Sequence, residues 1–243
     1  MLVKDGSENV NLPGAAWNKN TNNIVFSSSR ESHDEIYIIS SNGFPGDEIQ
    51  ITKRPDKMAY EPSFSPSGGR IVFESHEVDV EEEGIITKYR IDKSTPYISL
   101  TKKGQDCRQS NWSPRGDCIV YQRLSNARWD IWITDPKGVS HKKITNGPGD
   151  KTDASFSPDG KRIIYSADGE NLTYANLFIT SLSGEGSVRL TFHKTGYDGA
   201  PAWSPDGKRV IFESCEGQPE ESHGTTIWII GIPKELLGGR YEH

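Results

Sequence analysis

An aromatic residue followed by a turn signal recurs at Trp17, Phe64, Trp112, Phe156 and Trp203, in steps of 47, 48, 44 and 47 residues. No other feature constrains the fold as tightly. Self-similarity at this period means one supersecondary unit, copied and stacked so that each copy buries its face against the next. Four copies read Phe64-Ser-Pro-Ser-Gly, Trp112-Ser-Pro-Arg-Gly, Phe156-Ser-Pro-Asp-Gly and Trp203-Ser-Pro-Asp-Gly, whereas the first runs Trp17-Asn-Lys-Asn-Thr. In such a segment proline presets φ near about −65°, aspartate suits the third position and glycine takes a left-handed exit. Each motif therefore predicts a tight hairpin, with Gly160 and Gly207 at positive φ.

A compact β-rich run follows each turn: Ile24-Val-Phe, Ile71-Val-Phe, Ile119-Val-Tyr, Ile163-Ile-Tyr and Val210-Ile-Phe. Runs of this kind suit strands buried on both faces. A third strand is expected at Ile36-Tyr-Ile-Ile, Lys88-Tyr-Arg-Ile, Asp130-Ile-Trp-Ile, Asn176-Leu-Phe-Ile and Thr226-Ile-Trp-Ile. A short fourth strand ends in Ile51-Thr52, Leu100-Thr101, Ile144-Thr145 and Leu190-Thr191. The expected fold is all-β: a single-domain β-propeller over residues 1–243, with about five four-stranded blades beginning near residues 14, 61, 109, 153 and 200. The fifth copy lacks a fourth strand of its own. Leu2-Val3, 15 residues before Trp17, predicts that the N-terminal strand completes the last blade and closes the ring, which would remove a free sheet edge.

The unit "aromatic-Ser-Pro-Asp-Gly-Lys-Arg, Ile-Ile-Tyr, Ile-Trp-Ile, Arg-Leu-Thr" resembles the repeat of TolB-like β-propellers, a branch of the WD-repeat-like group. The resemblance covers nearly the whole chain and rests on four intact turns in register. It implies a propeller fold without fixing a job, since such repeats also occur in propellers of prolyl-oligopeptidase-type enzymes and of some polysaccharide lyases.

The net charge of −6 disfavours a nucleic-acid partner, and no apolar run approaches the roughly 18 residues that span a bilayer. The N-terminal sequence has no signal-peptide pattern, so the chain as written is expected in the cytoplasm, or in the periplasm if the start is truncated. Cys107, Cys118 and Cys215 are widely spaced and contain no CxxC pair, which predicts neither a disulfide framework nor a structural zinc site. Nucleophile-elbow, HExxH and Walker patterns are absent from the sequence. These readings predict a monomeric non-enzymatic binding or scaffold propeller with no cofactor and no catalytic residues. The alternative is a lyase-like or hydrolase-associated site at the channel mouth, or the gating module of a peptidase whose catalytic domain lies elsewhere.

The uniform Ser-Pro-x-Gly turns should lie on one face and the loops of variable length on the other, where binding residues are usually carried. Two candidate sites follow. At the channel mouth, the position three before each aromatic reads Gly14, Glu61, Gln109, Asp153 and Ala200, with Tyr60, Arg108 and Asp198 close by. Tyr60, Glu61, Arg108, Gln109, Asp153 and Asp198 form the expected ligand-binding set, because carboxylate, amide, guanidinium and phenol at a narrow opening suit a polar ligand or a peptide end. On the loops, Glu77, Asp79, Glu81, Glu82, Glu83, Glu220 and Glu221 form the expected docking surface for a protein or peptide partner, which a basic one would fit. Glu31, Asp34, Glu35, Glu74, Glu213 and Glu216 extend that acidic arc. His33, His76 and His223 each follow a Glu-Ser pair, and no metal site is assigned to them.

Overall fold

The computed structural model describes residues 10–30, 33–78, 80–169, 172–194, 196–216 and 225–237. It contains five antiparallel sheets. The first comprises β1 (Val10–Asn18), β2 (Asn23–Ser28), β3 (Glu35–Ser40) and β4 (Ile49–Gln50). The second comprises β5 (Lys57–Phe64), β6 (Arg70–Glu77), β7 (Val80–Arg90) and β8 (Ile98–Ser99). The third holds β9 (Cys107–Trp112), β10 (Ile119–Ser125), β11 (Arg128–Thr134) and β12 (His141–Lys143), and the fourth β13 (Lys151–Phe156), β14 (Arg162–Gly169), β15 (Leu172–Ser181) and β16 (Val188–Arg189). The fifth has three strands among the described residues, β17 (Gly196–Trp203), β18 (Arg209–Glu216) and β19 (Thr226–Gly231). Each sheet is one copy of the sequence repeat, in the strand order of a propeller blade. The fourth strand expected from the N-terminus for the last blade lies outside the described residues.

The chain divides into two compact units: residues up to Asn126 with Trp132–Lys142, and Ala127–Ile131 with Lys143 onward. In the first unit, Val25, Ile36 and Ile51 of blade 1 pack against Phe64, Ile71 and Phe73 of blade 2. Val72, Ile86 and Leu100 of blade 2 pack in the same way against Trp112, Ile119 and Tyr121 of blade 3. In the second unit, Ile164, Leu177 and Leu190 of blade 4 meet Val210 and Phe212 of blade 5. Among the described residues no helix is long and apolar enough to cross a membrane.

The turns form as the sequence predicts. Gly68, Gly116, Gly160 and Gly207 have φ of 74°, 76°, 65° and 69°. Each donates its N–H to the serine carbonyl three residues back, at 2.8–2.9 Å. The diverged first turn reaches the same end by side-chain chemistry: Asn18 Oδ1 accepts from Asn20 and Thr21 N–H, both at 3.0 Å, and Asn22 takes a φ of 56°.

Two strand expectations need correction. In blade 2 the third strand is β7, which begins at Val80, and the register sets Glu74 opposite Ile86, where Ser27 faces Ile36 in blade 1. The residue equivalent to Ile36 is thus Ile86, and Lys88-Tyr-Arg-Ile lies further along. The run Glu81-Glu82-Glu83 falls at the register break between the pairs Ser75–Ile85 and Glu77–Val80. In blade 5, β18 buries Val210 and Phe212 but leaves Ile211 42% exposed, so its opposite face is open at Ile211.

Candidate functional site

The channel-mouth positions do not begin the inner strands; they are β-bulges within them. Register breaks between Tyr60 and Ser63, between Arg108 and Asn111, between Thr152 and Ser155, and between Gly199 and Ala202 leave two residues opposite a single aromatic of the second strand. That aromatic is Phe73, Tyr121, Tyr165 or Phe212. At the bulge Glu61, Gln109, Asp153 and Ala200 have φ of 48°, 51°, 56° and 47°. A left-handed backbone at a residue with a Cβ costs about 1–3 kcal/mol and is stable only where its surroundings over-determine it. Here the neighbouring blade supplies part of that constraint. Gln109 N–H donates to Glu74 Oε2 at 3.0 Å, and Ala200 N–H donates to Asp153 Oδ2 at 3.3 Å.

In the first unit the structure brings Tyr60, Glu61, Arg108 and Gln109 into one neighbourhood. Arg108 forms a fork with Asp106, Nε to Oδ1 at 2.8 Å and a terminal nitrogen to Oδ2 at 2.9 Å, and it feels the charges of Glu74 and Glu61. The bond to Asp106 raises the guanidinium pKa further. Tyr60 lies edge-on to the His76 ring at 5.5 Å, with its hydroxyl 3.0 Å from Met58 Sδ. Behind it, burial raises the Asp34 carboxyl above its ordinary pKa, against a hydrogen bond from Tyr60 and the charge of His33. Glu74, His76, Asp34 and Asp106 all belong to this polar cluster, and Glu74 contacts the His76 ring directly. Asp106, Glu74 and Glu61 all act on the Arg108 guanidinium, so the neighbourhood favours a cationic or hydrogen-donating guest.

In the second unit Asp153 Oδ2 accepts the Tyr197 hydroxyl at 3.0 Å. Burial and the facing Asp153 carboxylate both push the Tyr197 phenol well above its ordinary range. Asp198 is placed differently from the expectation. Its side chain is buried, meets His193 Nδ1 at 3.5 Å and lines a cleft of about 740 Å³ with Phe212 and Trp228. The residue before it, Tyr197, is the one bonded to Asp153. Strand alternation explains this, since adjacent residues face opposite ways. The sequence reading missed Tyr197 and Asp106 and assigned Glu74 to the acidic arc; the available signal was the parity of each position relative to its bulge.

The acidic arc is thinner than the sequence suggests. Asp34, Glu35 and Glu74 are buried, and Glu35 accepts from Arg54 N–H at 2.6 Å and from the Thr52 hydroxyl. Glu77 is partly exposed and pairs with Lys103 at 3.2 Å. Glu81, Glu82 and Glu83 lie on the backbone of β7 instead of in a loop. Asp79, Glu220 and Glu221, with Glu31 and His223, lie outside the described residues. His33 reaches the Arg54 carbonyl at 2.8 Å, and among the described residues no cluster of three His, Cys, Asp or Glu side chains could hold a metal ion.

Four-stranded antiparallel sheets repeated with one turn motif and bulged inner strands define a β-propeller. The TolB beta propeller domain family matches residues 6–174 and 111–220, and the chain belongs to it. It is 28% identical over 143 residues to a protein TolB homolog of Chlorobium luteolum, covering 59% of this chain and 31% of the relative. It is also 28% identical over 135 residues to the uncharacterized peptidase YuxL of Bacillus subtilis, covering 53% and 19%. The chain thus spans less than a third of the length of these curated relatives. Among solved structures, one described as TolB from Agrobacterium tumefaciens aligns with a TM-score of 0.74 at 17% identity, over 90% of this chain and 76% of that one, a likeness of fold.

Proposed function

We propose that this chain is a non-enzymatic binding propeller that holds a protein or peptide segment, with basic character, at the bulged ends of its inner strands. The observation that carries this reading is the repeated left-handed bulge at Glu61, Gln109 and Asp153, each with a polar side chain in a conformation that glycine would adopt without strain. Retaining these side chains against the backbone cost points to use, and the surrounding carboxylates suit lysine, arginine or an amino terminus. The histidine and carboxylates nearby are engaged with one another and with backbone N–H groups, as structural and docking groups are.

Glycine substitution separates use from folding. A double variant Glu61→Gly with Gln109→Gly keeps the bulge backbone, so its melting temperature should stay within a few degrees of wild type. Panning a random-peptide library on the wild type should enrich Lys- or Arg-bearing sequences, and these should bind the double variant more weakly. Equal binding by both proteins, or no enrichment on the wild type, would refute the site. A second reading, favoured by the peptidase relative, makes the propeller an accessory to a catalytic domain. It predicts that enriched peptides are substrates of a peptidase that co-purifies with the chain.

A further inference from the structure

Charge is spread unevenly along the chain. Residues 102–143, the third repeat with the linker that leads into it, carry nine Lys and Arg against four Asp and Glu, a net charge of +5 in a chain whose total is −6. The acidic excess therefore lies wholly outside this repeat. At physiological ionic strength a charge reaches about 8 Å, so a group docked here meets the local positive charge before that of the whole chain.

Arginines stacked on aromatic rings show where that charge is unsatisfied. Arg30 lies 5.6 Å over Phe26 and pairs with Glu48 at 3.3 Å. Arg54 lies 4.9 Å over Phe73 and donates to the Ser75 hydroxyl at 2.9 Å and the Met58 carbonyl at 3.3 Å. Arg189 lies 4.9 Å over Phe192 and donates Nε–H to the Thr191 carbonyl at 2.7 Å. Arg123 of β10 lies 4.9 Å over the Trp132 ring of β11, and among the described residues its guanidinium meets no acceptor and no carboxylate. Arg123 is half-buried, and its Nε and the Trp132 indole Nε1 are both enclosed without a partner. Such donors have given up water without gaining a bond in return.

Blade 1 shows what is missing. Glu48 stands three residues before the buried Ile51, whereas the residue three before the buried Ile144 is His141. The His141 ring is engaged with the Tyr121 hydroxyl at 2.9 Å and the Gly138 carbonyl at 3.2 Å, and it brings no negative charge to Arg123. The linker instead adds positive charge. Cys107 stands opposite Arg123 in the β9–β10 register, its thiol bonds with the Thr101 hydroxyl, and the two residues after Thr101, Lys102 and Lys103, are exposed.

We propose that this flank of the third blade binds an acidic peptide segment of a partner protein. One carboxylate supplies the counterion that Glu48 supplies in blade 1, accepting from the Arg123 guanidinium, whose planar fork matches two carboxylate oxygens. Lys102 and Lys103 meet the carboxylates beside it. The pair of Lys103 with Glu77, at 3.2 Å, is exposed, of a kind that contributes little and yields to a competing carboxylate. A short peptide is favoured over a nucleic acid, because the residues outside 102–143 carry a net −11, which repels an extended polyanion beyond the patch. None of these residues belongs to the bulged mouth.

A fluorescently labelled peptide of six glutamates serves as probe, read by anisotropy with the full chain. Saturable binding that weakens with added salt is expected. Arg123→Gln should weaken it by about tenfold or more, and Arg123→Lys, which keeps the charge and loses the fork, by a smaller factor. Lys102→Gln with Lys103→Gln changes only exposed side chains and should weaken binding and flatten its salt dependence. Arg115→Gln removes one equal charge at the turn of the same blade and should leave binding unchanged, as should Glu61→Gly with Gln109→Gly. No saturable binding, or equal losses in Arg115→Gln and Arg123→Gln, overturns the proposal. A six-nucleotide single-stranded DNA that binds as tightly as the peptide and loses as much in Arg123→Gln overturns the assignment to a peptide.

Discussion

At the scale of single residues, the turn glycines and the buried thiols respond to substitution and to reagents in opposite ways. Gly160 and Gly207 hold φ of 65° and 69° in hairpins fixed by serine carbonyls. Valine at either position should cost about 1–3 kcal/mol, because a β-branched side chain clashes in that region; urea unfolding of Gly160→Val checks this. Cys107 and Cys118 illustrate protection by the core. Burial pushes the Cys107 thiol up to about 12 and the Cys118 thiol up to about 11. At about pH 8 both should react with a thiol reagent only as fast as the chain unfolds, since the thiolate is the nucleophile. Fast labelling of either cysteine in the native chain would contradict the packing.

At the scale of elements, the aliphatic–threonine clamp and the bulge do different jobs along one blade. In four blades the hydroxyl of a threonine just after the fourth strand (Thr52, Thr101, Thr145 or Thr191) accepts the N–H of a buried third-strand residue (Ile36, Ile86, Ile131 or Leu177). This clamp ties the fourth strand to the third at the outer edge. Thr101→Val keeps much of the side-chain volume yet leaves the buried Ile86 N–H without its acceptor. Its expected cost is about 1–3 kcal/mol, the penalty for an unsatisfied buried donor, measurable as a lower unfolding midpoint with an unchanged slope. The bulge acts at the inner end, where it turns polar side chains out of the two-residue alternation of the strand. Both elements repeat, but only the clamp has a residue signature that repeats with it. Gly14, Glu61, Gln109, Asp153 and Ala200 share a position without sharing a chemistry, so the bulge is invisible to any search for similar residues.

At the scale of the molecule, the turns set the response to acid. Burial alone would raise Asp159, but bonds from the Ser157 hydroxyl and Lys161 N–H outweigh it and hold the carboxyl below its ordinary pKa. Asp206 is held low by the equivalent Ser204 hydroxyl and Lys208 N–H, and Asp135 chiefly by Val139 N–H. For each the folded pKa lies below the unfolded one, so its stabilisation is present above the unfolded value of about 4 and is lost as pH falls through the folded value. Asp34 has the opposite sign: raised by burial, it stabilises fully below the unfolded value and loses that contribution as pH rises through its folded pKa. With five depressed carboxyls, Glu48 and Asp92 included, against one raised among the described residues, the urea midpoint should fall below about pH 4. Asp159→Asn combined with Asp206→Asn should flatten that fall.

The sequence by itself determined the repeat, the hairpin turns, the buried second strands of four blades and membership of a propeller class. These depend on local chemistry, namely the φ of proline and glycine and the β preference of branched and aromatic residues, and the period reinforces each copy with the next. It also picked out the bulge positions by counting back from each aromatic, though not their backbone conformation. Only the tertiary structure decided which polar residues meet. A bulge shifts the facing of every residue on one side of it, so Asp198, close to Asp153 in the count, turns to His193 while Tyr197 takes the bond to Asp153. Burial of Glu35 and Glu74 likewise depends on neighbours distant in sequence or on the adjoining blade, Arg54 and Gln109, and charge count alone reads them as surface. The exposure of Ile227, Trp228 and Ile229 on β19 emerges the same way, because exposure is a property of what packs alongside, and Thr-Ile-Trp-Ile reads in the sequence like any covered strand.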